Sequence, residues 1–233
     1  MKPVILLLPL LLSGLAISAP SLSQQLRARA EASSKKIPAN VREEYAKGIQ
    51  SVRDSKVTAS AKQVGDKAPD FTLKNATGED VTLSTLLKNG PVILTWYRGG
   101  WCPYCNIALN AMQEKLPEFK KAGATLVALT PELPDKSLET TEKHHLEFQV
   151  LTDLNHQVAK QYGLVFKLTP EVAAIYHDKF NLTEYNGKEA GDDSLPLAAT
   201  YIINSDGSIK WAFLDADYRN RAEPDDIVKA LAK

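Results

Sequence analysis

The sequence predicts an α/β domain, a mixed central sheet flanked by helices, preceded by a helical extension. Three observations carry this reading. Short apolar runs at residues 92–97 and 125–130 alternate with longer stretches of helical period. Two late extended runs, 200–204 and 209–213, flank Ser205-Asp206-Gly207, a hairpin signal. The chain has 233 residues, 44% of them hydrophobic, enough for one core of about 170 residues plus appendages.

Taken in order, residues 1–18 read as an export signal. Lys2 precedes an apolar run over 4–12, and Ala16 and Ser18 fit the small-residue positions of a cleavage site. A periplasmic or secreted protein is therefore expected. Residues 19–62 form a helical extension or linker, polar and alanine-rich. Asn40 with Glu43 three residues later resembles a capping box, and Val41, Tyr45, Ile49 and Val52 make an apolar stripe. This surface helix packs on the main domain or on a second copy of the chain, which would make a homodimer.

The main domain spans 63–233. A strand is expected over 68–73, a turn over 75–80, and a short helix ending near Gly90. Strand 92–97 leads into a helix opening near Cys102, with Leu109, Met112, Leu116 and Phe119 as its core stripe. Gly123 stops that helix, and Pro117 should kink it. Residues 125–130 and 149–151 read as strands, and 136–146, 156–162 and 225–231 as helices. His144 and His145 then form an exposed helical pair.

Lys+Arg and Asp+Glu are 28 each, with no basic block, so nucleic acid is excluded as a partner. The chemistry concentrates in Trp101-Cys102-Pro103-Tyr104-Cys105, which holds both cysteines. They sit in the first turn of a helix, where unpaired N–H groups and the helix dipole favour a thiolate. One turn apart, they can close a disulfide. A purely structural bridge over so short a loop would add little stability. Zinc is disfavoured, because one C-x-x-C is half a site and the four histidines show no H-x3-H spacing. No metal or cofactor is expected.

Two activities fit a redox pair. In a thiol peroxidase, a cysteine thiolate is oxidised by a hydroperoxide and the other cysteine resolves the sulfenic acid. In a thiol–disulfide oxidoreductase, Cys102 attacks a protein disulfide and Cys105 resolves the mixed disulfide. Arg98 would stabilise the anionic sulfur, or else hold the loop from the surface. Trp101 and Tyr104 shield the thiols, and Asp215, Asp217, Tyr218 and Arg219 read as a solvated loop.

A strand leading to W-C-x-x-C at a helix start, with a late hairpin and terminal helix, resembles the thioredoxin fold. The opening Val64-Gly65-Asp66-Lys67-Ala68-Pro69-Asp70-Phe71 resembles that of the alkyl hydroperoxide reductase/thiol-specific antioxidant family, the peroxiredoxins. The run from Tyr97 to Asn106, Y-R-G-G-W-C-P-Y-C-N, is similar to an exported peroxiredoxin-like group. The resemblance covers residues 63–232. It implies a peroxidase acting on hydrogen peroxide or organic hydroperoxides and recycled by an external dithiol such as thioredoxin. It puts Cys105 at the family's nucleophile position, so that Cys105 attacks the hydroperoxide and Cys102 resolves the sulfenic acid, with Cys102 standing where the family has threonine and Arg98 where it has proline. The family's arginine before the final buried strand falls at Ala198, as does the cis-proline of the thioredoxin type.

Overall fold

The structure is a computed structural model describing residues 19–187 and 193–233. The export signal read in residues 1–18 lies outside the described residues. Three helices come first: α1 (Leu22–Ser34), α2 (Ala39–Asp54) and α3 (Val57–Ser60). β1 (Thr72–Lys74) and β2 (Asp80–Thr82) pair antiparallel, and α4 (Leu83–Leu86) follows. Next are β3 (Val92–Trp96), α5 (Pro103–Lys121), β4 (Thr125–Thr130), α6 (Pro134–Lys143), β5 (Gln149–Thr152) and α7 (Gln157–Gln161). The remainder is β6 (Val165–Lys167), α8 (Pro170–Phe180), α9 (Leu182–Asn186), β7 (Ser194–Pro196), β8 (Thr200–Ile203), β9 (Ile209–Phe213) and α10 (Pro224–Leu231).

The main sheet runs β5-β4-β3-β8-β9. β3, β4 and β5 are parallel, while β8 and β9 are antiparallel to their neighbours, the mixed sheet expected. β3 lies at its centre and is buried on both faces, which is why its sequence is almost continuously apolar. Alternation divides it between two cores. Val92, Leu94 and Trp96 join Val127, Leu129, Tyr162 and Tyr201 on one side. Ile93 joins Leu126, Ile202 and the α5 stripe Leu109, Met112, Leu116 and Phe119 on the other. The chain leaves the C-terminal end of β3 straight into the cysteine turn.

Several elements depart from the sequence reading. The first strand is shorter and later than 68–73. α2 opens at Ala39 behind Pro38 with no side-chain cap, so Asn40 and Glu43 form no capping box. The capping box belongs to α1, unforeseen in the sequence, where Ser21 and Gln24 bond reciprocally. α6 ends at Lys143, leaving His144 as its cap and His145 in the left-handed region at φ +49°. α8 was also unforeseen, although Thr169-Pro170 starts it as a cap and N1 proline.

The extension docks on this same domain. Leu22 and Leu26 of α1 are buried in the core that holds the α5 stripe. The Glu223 carboxylate accepts from the Leu22 and Ser23 N–H groups at 3.1 and 2.6 Å, so an anion meets the positive end of α1. α2 buries Ile49 and Val52, and Gly48 lets its backbone approach α8: a Cβ there would fall 2.8 Å from Val172 Cγ2. Among the described residues, no helix is long and apolar enough to cross a membrane. Glu223→Ala is expected to weaken the α1 dock by about 1–2 kcal/mol. Amide hydrogen exchange across 22–30 should then accelerate while β3 and β4 stay protected, and uniform acceleration would refute a local dock.

Candidate active site

The turn between β3 and α5 is built around two glycines. Gly99 sits at φ +144°, and a Cβ there would lie 2.2 Å from Trp101 Nε1. A Cβ on Gly100 would lie 2.1 Å from Thr140 Oγ1. Glycine is required at both for the chain to double back. Asn106 Nδ2 donates to Gly100 O at 2.8 Å and the Cys102 N–H to Gly99 O at 3.0 Å, closing the turn. Pro103 then starts α5 at its first position.

Cys102 is the residue that caps α5, yet its sulfur takes no capping hydrogen bond from the helix. The N–H groups of Cys105 and Asn106 go to the Cys102 carbonyl instead. The sulfur's partners are side chains. Arg98 Nη2 donates to Cys102 Sγ at 3.1 Å, and the two cysteines, both reduced, lie 3.2 Å apart. Both are 0% exposed. Burial by itself pushes the Cys102 thiol up, but the Cys105 thiol and the Arg98 and Arg221 charges reverse this and hold it well below the ordinary range. Cys105 is raised, first by burial and then by its anionic neighbour. With the sulfurs 3.2 Å apart and an arginine beside each, the pair favours one shared negative charge, drawn toward Cys102 by the shorter Arg98 contact.

Arg98 is no surface residue. It is 3% exposed, donates through Nη1 to the Tyr176 hydroxyl at 2.9 Å, and lies 3.8 Å from the Tyr218 ring centre. A desolvated guanidinium over an aromatic face gains cation–π attraction and keeps its charge. Trp101 packs on Tyr176 and Phe180 with ring centres 5.2 and 5.4 Å apart, and Tyr104 meets Tyr218 edge-on at 5.5 Å. Trp101 and Tyr104 belong to the same buried cluster as the two cysteines.

The structure thus brings Arg98, Cys102 and Cys105 together. It also adds residues that sequence reasoning missed. Arg221, on the loop after β9, donates through Nη2 to Cys105 Sγ at 3.4 Å. It is anchored by the carbonyls of Tyr218 and Asn220. The family's arginine position is the buried Ala198, so the second positive charge comes from a different element. The 215–219 loop is only partly solvated: Arg219 is exposed, but Tyr218 covers Arg98. Asp217 is 6% exposed and grips Arg219 through both oxygens, at 2.8 and 2.6 Å. Its carboxyl is lowered, because those hydrogen bonds and the Arg219 charge outweigh burial. The dense Tyr218-Arg219-Asn220-Arg221 run after the last strand was the available signal.

Glu132 is the other missed group. It is fully buried after β4, accepts from the Gly100 N–H at 2.7 Å, and takes a hydrogen bond from Thr130 Oγ1 at 3.2 Å. Burial raises its carboxyl to about 7, against the opposing hydrogen bonds from Gly100, Tyr97 and Thr130.

A cavity of about 190 Å³ opens between the extension and this site. Arg98, Trp101, Tyr104 and Tyr218 form its inner wall, while α1 and α2 supply the outer wall, including Arg29 and Tyr45.

The sheet and dithiol turn define a thioredoxin-fold protein with an arginine-flanked cysteine pair. The AhpC/TSA family model matches residues 64–212, and the chain belongs to that family. Peroxiredoxin Bcp of Escherichia coli K12 is 32% identical over 102 residues, covering 44% of this chain and 65% of that protein. Chloroplastic peroxiredoxin Q of Oryza sativa subsp. japonica is 27% identical over 161 residues, covering 69% of this chain and 61% of its own length. The chain thus spans somewhat under two thirds of these relatives. Among solved structures, peroxidoxin BcpB of Mycobacterium tuberculosis superposes with a TM-score of 0.57 at 22% identity, over 73% of this chain and 96% of that one. Both α1–α2 and Arg221 lie outside the family match.

Glu132 provides a stability test. Its carboxyl is raised from 4.5 to about 7, so the folded state holds this proton more tightly than the unfolded chain does. Wild-type stability should fall as pH rises from about 4.5 to about 7 and level off above, a difference of about 3 kcal/mol. Glu132→Gln lacks this loss while keeping an acceptor for Gly100. Its unfolding free energy relative to wild type should rise across that interval, and a flat difference would refute the raised carboxyl.

Proposed function

We propose that the protein is a thiol peroxidase that reduces hydroperoxides through the Cys102–Cys105 pair. The observation that carries this is the fully buried Cys102 sulfur within hydrogen-bond reach of Arg98. Both sulfurs are 0% exposed, and a hydroperoxide, with two oxygens and one substituent, needs far less opening of the site to reach them than a protein disulfide does. The oxidoreductase alternative shares the dithiol but asks for an exposed N-terminal cysteine. Family membership supports the same reading.

The Cys102 thiolate attacks the distal oxygen of the hydroperoxide, forming an S–O bond as the O–O bond breaks. The sulfur is oxidised to sulfenic acid, and the leaving alkoxide takes the Cys105 proton. Arg98 stabilises the thiolate and the charge developing on oxygen. The Cys105 thiolate, beside Arg221, attacks the sulfenic sulfur, and hydroxide leaves and is protonated to water. Two thiols and one hydroperoxide thus give one disulfide, one alcohol and one water. Closing a sulfur contact of 3.2 Å to a bond of about 2.05 Å needs little motion. This order makes Cys102 the attacking sulfur and Cys105 the resolving one, the reverse of what the family motif implies. An external dithiol protein of the thioredoxin kind would restore the pair by disulfide exchange. The export signal read in residues 1–18 would place this cycle outside the cytoplasm.

Stopped-flow tryptophan fluorescence of the reduced protein mixed with hydrogen peroxide tests the proposal. Wild type should oxidise far faster than free cysteine, and Cys102→Ser should abolish the fast phase. Cys105→Ser should retain oxidation and stop at a species one oxygen heavier. Fast oxidation surviving in Cys102→Ser but lost in Cys105→Ser would reverse the roles, and wild-type oxidation at the free-thiol rate would overturn the peroxidase.

A further inference from the structure

The cavity between the extension and the Arg98 wall is larger than hydrogen peroxide requires. At about 190 Å³ it exceeds the roughly 150 Å³ cavity that suffices to enclose benzene. Its walls are aromatic, with Tyr45 from α2 facing Trp101, Tyr104 and Phe180. Its charged lining is of one sign: Arg29, Arg42, Arg98 and Arg219, with no aspartate or glutamate.

Those four charges are not equally available. Arg219 is neutralised by Asp217 and Arg98 by the Cys102 sulfur. Arg42 spends Nη1 on the Ser34 and Ile37 carbonyls, both at 2.8 Å, which fixes the α1–α2 corner without cancelling the charge. Arg29 is exposed and, among the described residues, has no hydrogen-bond or ion-pair partner. The rim therefore carries two uncompensated guanidinium groups, suited to a carboxylate, above an apolar space of ring size.

Resting on the peroxidase reading, we propose that this cavity selects organic hydroperoxides bearing a carboxylate. The ring-sized apolar body lies against Trp101 and Tyr45, the carboxylate meets Arg29 at the rim, and the hydroperoxide end points at Arg98. Neither cysteine lines the cavity: Cys102 lies behind that wall, 3.1 Å from Arg98 Nη2, so the reaction requires the Trp101 side chain to move aside while Arg98 stays on the sulfur. The extension is thus a specificity element that the family-matched residues lack.

A matched substrate pair tests this on the full-length reduced protein: cumene hydroperoxide and its para-carboxylate, with hydrogen peroxide as reference. The carboxylate should oxidise the protein about tenfold faster than the neutral compound, as one charge-assisted contact of about 1.4 kcal/mol gives. Arg29→Gln, at an exposed position, should bring the two aryl rates together, and added salt should narrow the wild-type ratio. Equal wild-type rates, or a ratio untouched by Arg29→Gln, would overturn the proposal. Should all three oxidants react only at the free-thiol rate, the peroxidase reading fails. The pocket is then read separately by calorimetric titration with the unreactive para-isopropylbenzoate. Binding lost in Arg29→Gln would sustain the carboxylate site, and no binding to wild type would overturn it.

Discussion

The contact between Arg98 and Cys102 governs the arrangement around it. A guanidinium 3% exposed would be costly without an anionic partner, and a thiol without solvent would not ionise without a cation. Each makes the other's charge tolerable. The neighbours complete the arrangement: Tyr176 accepts one Arg98 donor, Tyr218 covers the guanidinium face, and Arg221 adds a second positive charge beside Cys105. The helix dipole contributes in the same direction, but the α5 N–H groups do not reach the sulfur.

That arrangement depends on chain segments at both ends of the family-matched region. Arg221 and Tyr218 come from the loop after β9, and α1 and α2 close the site from the other side. Glu223, two residues beyond Arg221, holds the start of α1. One loop therefore carries the second arginine, the aromatic cover of the first and the anchor of the extension. An AhpC/TSA-family core here carries a dithiol turn and draws its second positive charge from the loop after β9.

Much of this was legible in the sequence. The central strand, the cysteine turn, the α5 stripe and the closing hairpin follow from local periodicity and turn chemistry, which neighbouring residues largely determine. The motif also named Arg98, Cys102 and Cys105. What stayed hidden depends on distant segments. Arg221 is 116 positions from Cys105, and nothing local marks it as a thiolate partner. Asp215, Asp217 and Tyr218 look like a solvated loop, because polar composition does not reveal that Arg98 is stacked beneath it. Nothing in the sequence around Glu132 marks it, and only the fold buries it under Gly100. Ala198 correctly signalled a missing charge, although its replacement could be located only in three dimensions.

The central claim is that one buried negative charge resides on Cys102, held by Arg98. Titration of the reduced protein by ultraviolet thiolate absorbance tests it most directly, with Cys102→Ser and Cys105→Ser alongside. Wild type should show one thiolate formed well below the free-cysteine range of about 8.5. That titration should vanish in Cys102→Ser and persist in Cys105→Ser, whose O–H can donate in place of the S–H. A wild-type titration in the free-cysteine range, or a low titration that survives in Cys102→Ser, would contradict the account.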